Sequence, residues 1–171
     1  MATDRKVQHR QRRLLGLRRT PGRLALAAFR IPLWLYRHDR GWMLGRTFLM
    51  FEHVGRKTGR SHHAIAMVLT DNRATGEVVI CSAWGPHADW VLNLRARPAP
   101  QVQVGRERFV PDQRFLTDQE ASDVGVAFRR HHPRRLWLLG TILGWGDLND
   151  DVALDKFVEA HPFIAFRPNA C

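Results

Sequence analysis

Three short apolar runs in the first half of the chain constrain its fold more than any other feature. Residues 47–54, 64–69 and 78–81 are apolar or β-branched, and turn-forming residues separate them at 55–60 and 71–76. Runs of this length with glycine-containing turns between them are typical of antiparallel strands. The pattern therefore predicts a meander of three strands.

The second half of the chain alternates between helical and extended patterns. We predict a helix over 88–97 that ends before Pro98, and two further strands over 101–104 and 107–115. The remaining predicted elements are a helix that a capping box opens at Thr117, helices over 133–143 and 150–160, and a closing strand over 163–166. Strands followed by helices in this way indicate an α+β fold.

The domain organisation follows from the length and from the placing of apolar residues. A chain of 171 residues with 44% hydrophobic residues can bury one core. We predict a flexible basic arm over 1–19 and a single domain over 20–171. Thr20 as N-cap and Pro21 at the first helical position would open that domain with an amphipathic basic helix. No apolar run reaches the roughly 18 to 20 residues that cross a bilayer.

Positive charge is concentrated in the first 60 residues, which hold 15 Lys and Arg against Asp4, Asp39 and Glu52. Such a segment suits nucleic acid, an anionic membrane surface or a phosphorylated cofactor. Nucleic acid is disfavoured because no aromatic residues interleave the basic ones over 5–19 and no recognised binding motif accompanies them. The two other partners remain open at this point.

Cysteines and histidines are not spaced for a metal site. Cys81 and Cys171 form no paired motif and follow no secretory leader, which favours a reducing cytoplasm. The histidines at 62–63 and at 131–132 are immediate neighbours, and neighbours on a strand point to opposite faces. We therefore predict no metal.

The turn at residues 55–60, called the basic turn below, is the first candidate binding element. Arg56, Lys57 and Arg60 supply positive charge, Thr58 supplies a hydroxyl, and Gly59 allows tight turning. These groups suit a phosphate or carboxylate. A solvated hairpin turn is the simpler interpretation on spacing alone. No Walker loop and no Rossmann glycine motif is present in the sequence.

The second candidate element runs from Cys81 through a Gly-Pro loop into the predicted helix. Trp90 and Asn93 are three positions apart and would share one helix face. A flat ring and an amide side by side could address one heteroaromatic ligand. The alternative is that Trp90 belongs to the core and Asp89 caps the helix.

The order of these motifs resembles that of the deazaflavin-dependent nitroreductase and F420H2-dependent quinone reductase family. The resemblance covers 46–168. It rests on G-R-K-T-G-R between two strands, on W-x-x-N-L-x-x-x-P from Trp90, on a V-x-V-G strand ending at Gly105, and on H-P-F-I-A-F-R-P from His161. It implies a split β-barrel of about six mostly antiparallel strands with peripheral helices. It also implies coenzyme F420 as cofactor, with FMN less favoured, and a quinone, nitroaromatic or other conjugated acceptor.

The resemblance also assigns roles to residues. The basic turn would hold the phosphate and acidic tail of F420, and the loop after the third strand would flank the deazaflavin ring with the helix that follows. The cofactor-binding residues expected on this basis are Arg56, Lys57, Thr58, Gly59, Arg60, His62, Ser82, Ala83, Trp84, Gly85, Trp90 and Asn93. No catalytic side chain is required because the cofactor carries the hydride. His87 is a candidate proton donor to the reduced acceptor.

Three positions depart from the family pattern. His62 stands where a further arginine is usual, Ile65 where a proline is usual, and the loop before Trp90 is shorter, with one glycine at Gly85. His62 is only partly charged near neutral pH, so it should hold a phosphate more weakly and in a pH-dependent way. These departures favour the alternative of a non-catalytic module that binds a flavin, a deazaflavin or a lipid. The basic N-terminal helix could rest on the inner face of an anionic membrane, or residues 24–36 could pack over the barrel with only the arginines solvated. A homodimer is consistent with the fold.

Overall fold

The computed structural model describes residues 34–36, 38, 40–143, 145 and 148–169. The predicted arm over 1–19 and most of the predicted first helix lie outside these residues. Trp34, Leu35 and Tyr36 are helical, and a 3-10 helix follows at Gly41–Leu44. Tyr36 is buried, donates its hydroxyl to the Phe48 carbonyl at 2.7 Å, and faces Gly41 so closely that a Cβ there would lie 2.4 Å from its ring. A residue larger than glycine at position 41 would therefore displace the Tyr36 ring at the point where the chain enters the domain.

Seven strands and four α-helices follow, and they confirm the predicted α+β class. The strands are β1 Phe48–Val54, β2 Ser61–Asp71, β3 Val78–Cys81, β4 Val102–Val104, β5 Glu107–Phe109, β6 Pro111–Phe115 and β7 Phe163–Pro168. The helices are α1 Asp89–Ala96, α2 Asp118–His131, α3 Pro133–Leu143 and α4 Asp151–Ala160. The sheet order is β5-β4-β1-β2-β3-β7-β6, and every neighbouring pair is antiparallel. This is a nearly closed split barrel.

The prediction of one strand over 107–115 is wrong, because the structure divides it at Val110. Pro111 has no backbone N–H to continue the ladder, so the chain changes direction there. β5 then pairs with β4 at one edge of the sheet, and β6 pairs with β7 at the other edge. The division accounts for seven strands where about six were expected.

Alternation along the strands creates two cores. The first fills the barrel and contains Phe51, Val78, Ile80, Ile164 and Phe166. The second lies between the outer face of the sheet and helices α2, α3 and α4. It contains the strand residues that alternate with those of the first core, namely Val79, Phe163 and Ala165, together with residues of these three helices. A strand buried on both faces loses the apolar-polar alternation, which is why β3 and residues 163–166 of β7 are apolar throughout.

The helix starts follow the capping chemistry that the sequence predicts. Thr117 accepts a hydrogen bond from the Glu120 N–H, and the Glu120 carboxylate accepts one from the Thr117 N–H at 2.9 Å. Asp150 caps α4 by accepting from the Ala153 N–H at 2.9 Å. These caps fix where α2 and α4 begin, and thereby where they meet the outer face of the sheet.

Candidate functional site

The basic turn joins β1 to β2 and is closed by its own backbone. The Gly55 N–H donates to the Arg60 carbonyl at 2.8 Å, and the Gly59 N–H donates to the Gly55 carbonyl at 2.8 Å. Gly59 has a φ of +66°, and a Cβ on Gly55 would lie 2.7 Å from the Thr58 hydroxyl oxygen. Both glycines are therefore required by the shape of the turn.

Asn93 fixes the basic turn from beneath. Its side-chain oxygen accepts from the Arg56 backbone N–H at 3.0 Å and from the Arg56 guanidinium at 3.1 Å. Its amide nitrogen donates to Nδ1 of His53 at 3.0 Å. The Asn93 side chain is buried, so all of this polarity is used inside the protein. Asn93 thus ties α1 to the basic turn, and its expected place beside a cofactor ring stays a prediction.

His53 is a site residue that the sequence analysis missed. It follows Leu49 and Phe51 on the inward-facing side of β1, and the alternation of that strand was the signal that could have placed it beside Asn93. Burial lowers the pKa of His53, and the neighbouring His62 and His63 lower it further, while Asp89 opposes them. Neutral His53 accepts from Asn93 at Nδ1 and so carries its proton on Nε2.

The three cations of the basic turn are not equivalent. The Arg56 guanidinium bonds to the Asp89 carboxylate at 3.0 Å as well as to Asn93, so part of its charge is neutralised. Lys57 and Arg60 are exposed, and no carboxylate in the described part of the chain pairs with either. Thr58 accepts from the Arg60 N–H within the turn. Lys57 and Arg60 thus present the free positive charge, and Arg56 holds the turn to α1.

His62 and His63 begin the exposed end of β2. His62 lies opposite His53 in the strand pairing, and its ring stacks on that of His53 with centroids 5.6 Å apart. Its Nε2 would lie 3.4 Å from a Cβ on Gly55, which places His62 against the base of the turn. The structure therefore brings this predicted residue to the same site as Lys57 and Arg60.

The loop after β3 divides into supporting and lining residues. Ser82 is fully buried and donates its hydroxyl to the Gly85 carbonyl at 2.8 Å, while Gly85 has a φ of +73°. These two residues shape the loop from inside. Ala83 and Trp84 face an open cavity. His87 is exposed and is not among the residues that line it.

The cavity lies between the outer face of β2, the loop after β3, and helices α2, α3 and α4. It has a volume of about 60 Å³. Its lining is almost wholly apolar and comprises Ile65, Ala66, Met67, Leu69, Cys81, Ala83, Trp84, Trp90, Gly125, Phe128, Leu136, Leu139, Trp145, Leu154, Phe157 and Phe163. A lining of this polarity suits an apolar ring.

Cys81 is the one lining residue among these that could act as a nucleophile. Burial raises the pKa of its thiol to about 12. The thiolate is the reactive form of cysteine, and it is therefore scarce near neutral pH. The cavity supplies shape and an apolar environment, and Cys81 is a poor source of covalent chemistry.

Trp90 joins the cavity to the basic turn. Its ring lines the cavity and packs edge-on against Phe51 in the barrel core, with centroids 5.1 Å apart. The preceding residue, Asp89, pairs with Arg56 of the turn. Trp90 therefore packs against the core, as the alternative interpretation expected, and also lines the cavity, while its contact with a cofactor ring stays a prediction. A basic surface and an apolar cleft thus meet at the start of α1.

A ligand with a flat apolar ring and an anionic tail fits this junction, and the sequence of the chain agrees with that description. Residues 28–134 match the model of the F420H(2)-dependent quinone reductase family, over well more than half of the chain. The chain belongs to this family. It is therefore an F420H2-dependent oxidoreductase, with coenzyme F420 as its cofactor.

The reductase also resembles solved structures at low sequence identity. One is an F420-H2-dependent reductase, with 19% identity and a TM-score of 0.48 over 71% of this chain and 95% of that one. A second is a pyridoxamine 5'-phosphate oxidase-related FMN-binding protein from Nostoc punctiforme PCC 73102, with 16% identity and a TM-score of 0.47 over 90% and 83%. A third is the haem storage protein HutZ from Vibrio cholerae, with 14% identity and a TM-score of 0.44 over 80% and 92%. The family assignment rests on the sequence match.

The residues present in the reductase fit the cofactor. F420 combines a planar deazaflavin ring with a phosphate and a carboxylate tail. Lys57 and Arg60 offer unpaired cations to such a tail, and the apolar lining beyond Trp90 offers a dry surface to the ring. Within the described ranges, no helix is long and apolar enough to cross a membrane, and no three His, Cys, Asp or Glu residues are grouped to hold a metal.

Proposed function

We propose that this reductase transfers a hydride from F420H2 to a lipid-soluble conjugated acceptor, either a quinone or a nitroaromatic compound. The observation that carries the proposal is the junction at Trp90, where the Arg56–Asp89 ion pair holds the basic turn to the start of α1 and the Trp90 ring lines an apolar cleft. An acceptor without charge gains from such a lining, whereas a charged one would lose its hydration without compensation.

The residues of the site then have separate roles. Lys57, Arg60 and His62 hold the acidic tail, while Arg56 keeps the turn in place through Asn93 and Asp89. Ala83, Trp84 and Trp90 border the ring, and Ser82 and Gly85 hold the loop that carries them. For hydride transfer, the donating atom of the deazaflavin ring and the accepting atom of the acceptor must approach to about 3 to 3.5 Å. The shape of the site therefore governs the rate of transfer.

The protein itself provides orientation and exclusion of water. The cofactor, when bound, supplies the hydride, and the reduced acceptor then needs a proton. His87 is exposed in the loop beside the site and remains our candidate to deliver it. The apolar lining keeps water away from the transfer, which favours reduction of the organic acceptor over side reactions.

The cellular setting belongs to the same proposal. The basic N-terminal segment would hold the protein at the inner face of an anionic membrane, where lipid-soluble quinones are found. A homodimer would use the sheet edges at β5 and β6, since each of these strands has a partner on one side only. Nucleic acid is not part of the proposal.

The test is titration of the purified protein with F420 and, in parallel, with FMN, read by quenching of tryptophan fluorescence. The wild type should bind F420 saturably and more tightly than FMN. In Lys57→Ala/Arg60→Ala, loss of two charge-assisted contacts should weaken F420 binding by about 10- to 100-fold. Arg73→Ala/Arg97→Ala removes the same charge from exposed positions away from the turn and should change affinity by less than about twofold.

A screen of menaquinone analogues and nitroaromatics with F420H2 follows, read by loss of the reduced cofactor. Equal affinity in both double variants would remove the basic turn from the site. Tight F420 binding with no turnover of any acceptor would instead support the non-catalytic binding module.

A further inference from the structure

Helix α3 presents two different faces. Leu136 is buried and, with Leu139, lines the cavity on one side of the helix. On the other side Trp137 is 60% exposed and Leu138 is 50% exposed. Large apolar side chains so open to solvent, side by side on one helix, mark an interaction surface.

Positive charge borders this apolar face. Arg134 and Arg135 are exposed at the start of α3, and Arg130 is exposed near the end of α2. Arg134, Trp137, Leu138 and Thr141 follow the spacing i, i+3, i+4 and i+7, so they form one stripe along the helix, which we call the α3 stripe.

The segment of sequence that carries the stripe contains no acidic residue. From 124 to 146 the sequence has four arginines and two histidines and no Asp or Glu. In the described part of the chain, Arg129 is the member of this group that forms an ion pair, with Asp151 at 2.6 Å. A partner for the stripe must therefore bring negative charge together with an apolar surface.

Charge argues against two occupants that the protein itself could supply. The segment 1–33 holds nine Lys and Arg against Asp4, so it would bring like charge to the stripe. A second copy that docked the same patch on itself would do the same, because a two-fold interface places each patch against its own equal. Both arrangements are opposed by repulsion among the arginines.

We propose that the α3 stripe docks the protein on an anionic phospholipid bilayer, with Trp137 and Leu138 entering the interface and the arginines contacting lipid headgroups. Tryptophan is favoured at the boundary between headgroups and acyl chains, and nearby arginines add electrostatic attraction. Nucleic acid would satisfy the charge and leave Leu138 without an apolar contact.

Docking through α3 has a consequence for the cavity. Because Leu136 and Leu139 belong to the same helix, the cavity lies directly behind the docked face. A lipid-soluble acceptor could then pass from the bilayer to the cavity past a single helix. This consequence rests on the proposed function, whereas the docking itself does not. The stripe also lies almost entirely beyond residues 28–134, so it is a feature of this chain and not of the matched family region.

The experiment is sedimentation of the full-length protein with vesicles of phosphatidylglycerol and phosphatidylcholine, compared with vesicles of phosphatidylcholine alone. Trp137→Ser/Leu138→Ser should weaken binding to the anionic vesicles by about tenfold or more. Arg134→Glu should weaken it by roughly 5- to 30-fold. The matched controls are Val110→Ser, which is 60% exposed like Trp137, and Arg97→Glu, an exposed arginine elsewhere. Each control should change binding by less than about twofold.

A second variant tests insertion directly. Trp137→Phe keeps an apolar ring and should still sediment with the anionic vesicles. It should lose a measurable part of the fluorescence quenching that brominated lipids cause in the wild type. Quenching equal to the wild type would overturn the proposed depth of Trp137.

Three results would overturn the proposal. Unchanged vesicle binding in both α3 variants would assign membrane contact to the basic N-terminal segment. A dimer that Trp137→Ser/Leu138→Ser abolishes, without vesicle binding, would assign the stripe to a second copy. Binding of the wild type to DNA in place of vesicles would assign it to nucleic acid. F420 titration without vesicles should be equal in all these variants, so failure of docking is distinguishable from failure of the proposed function.

Discussion

His53 shows how one side chain can control a binding turn that it does not itself form. Its neutral imidazole accepts a hydrogen bond from Asn93, and this leaves the Asn93 oxygen facing the Arg56 N–H. A protonated imidazole would donate at both nitrogens and repel the Asn93 amide. Turning that amide round would place its NH₂ group against two Arg56 donors. The shape of the basic turn therefore depends on a histidine without charge.

The pKa of His53 gives this dependence a direction. Because the folded protein holds the pKa below its ordinary value of about 6.5, the unfolded chain binds the proton more readily. Stability is unaffected well above that value and falls as the pH drops below it. Burial is the main cause of the lowered pKa; His62 and His63 lower it further, and Asp89 opposes them.

We predict that the free energy of unfolding decreases between pH 7 and pH 5, and that the affinity for F420 gains less over this range than in His53→Asn, because protonation of His62 favours the acidic tail while protonation of His53 disturbs the basic turn. His53→Asn keeps an acceptor without a titrating group and should flatten the stability profile. His161 also has a lowered pKa because of burial, and it stacks on Phe157 at 4.1 Å, away from the turn. His161→Asn should therefore flatten the stability profile and leave the affinity profile unchanged. Urea unfolding and F420 titration at five pH values measure both, and equal affinity profiles in all three proteins would contradict the role of His53.

At the scale of elements, Arg46 connects three parts of the sheet. It forms a two-pronged contact with Asp71 at the end of β2, at 2.7 and 2.9 Å, and a further contact with Glu107 of β5 at 2.6 Å. Its side chain is 13% exposed, so the contact is largely sheltered from solvent. The start of β1 is thereby held to its neighbour β2 and, across β4, to the edge strand β5.

Arg46→Ala should lower the free energy of unfolding by about 1 to 3 kcal/mol, because it leaves Asp71 without its two-pronged partner. Arg73 pairs with the same carboxylate at 3.0 Å but is 69% exposed, so Arg73→Ala should cost less than about 1 kcal/mol. Urea denaturation of the three proteins makes the comparison. Equal losses of unfolding free energy in the two variants would show that burial of the Arg46 side chain does not make its contact with Asp71 more stabilising.

The sequence predicts these elements well wherever the signal is local. Turn chemistry and β-branched runs give β1, β3 and β7 to within two residues, and the capping box at Thr117 gives the start of α2. The break at Val110 was missed because the strand periodicity continues across it. Pro111 begins a new strand because that strand pairs with β7 and not with β4, and this pairing is not visible in the sequence. The partners of Asn93 were missed because they lie 37 and 40 positions away along the chain. A local sequence pattern does not show contacts between residues so far apart along the chain.

At the scale of the whole molecule, ligand binding should be visible as added stability. A ligand that binds only the folded state raises the free energy of unfolding by about 2.7 kcal/mol at a hundred times its Kd. For a domain of this size each kcal/mol raises Tm by roughly 2 to 4 °C. F420 at that concentration should therefore raise Tm by about 5 to 10 °C.

Thermal unfolding followed by tryptophan fluorescence checks this expectation. FMN at the same concentration should raise Tm less, and Lys57→Ala/Arg60→Ala should abolish most of the F420 shift without a change in the unliganded Tm. An equal shift by FMN would argue that the cleft recognises the ring system alone and not the tail.

Strand β2 carries residues that fill the barrel core and residues that line the cavity. Val68 packs into the barrel core, Ile65, Met67 and Leu69 face the cavity, and Ala66 belongs to the core and also lines the cavity. Substitution at Ile65, Met67 or Leu69 can therefore reshape the cavity while Val68 keeps the barrel intact. A lineage of such proteins can thus change its chemistry residue by residue without passing through sequences that no longer fold.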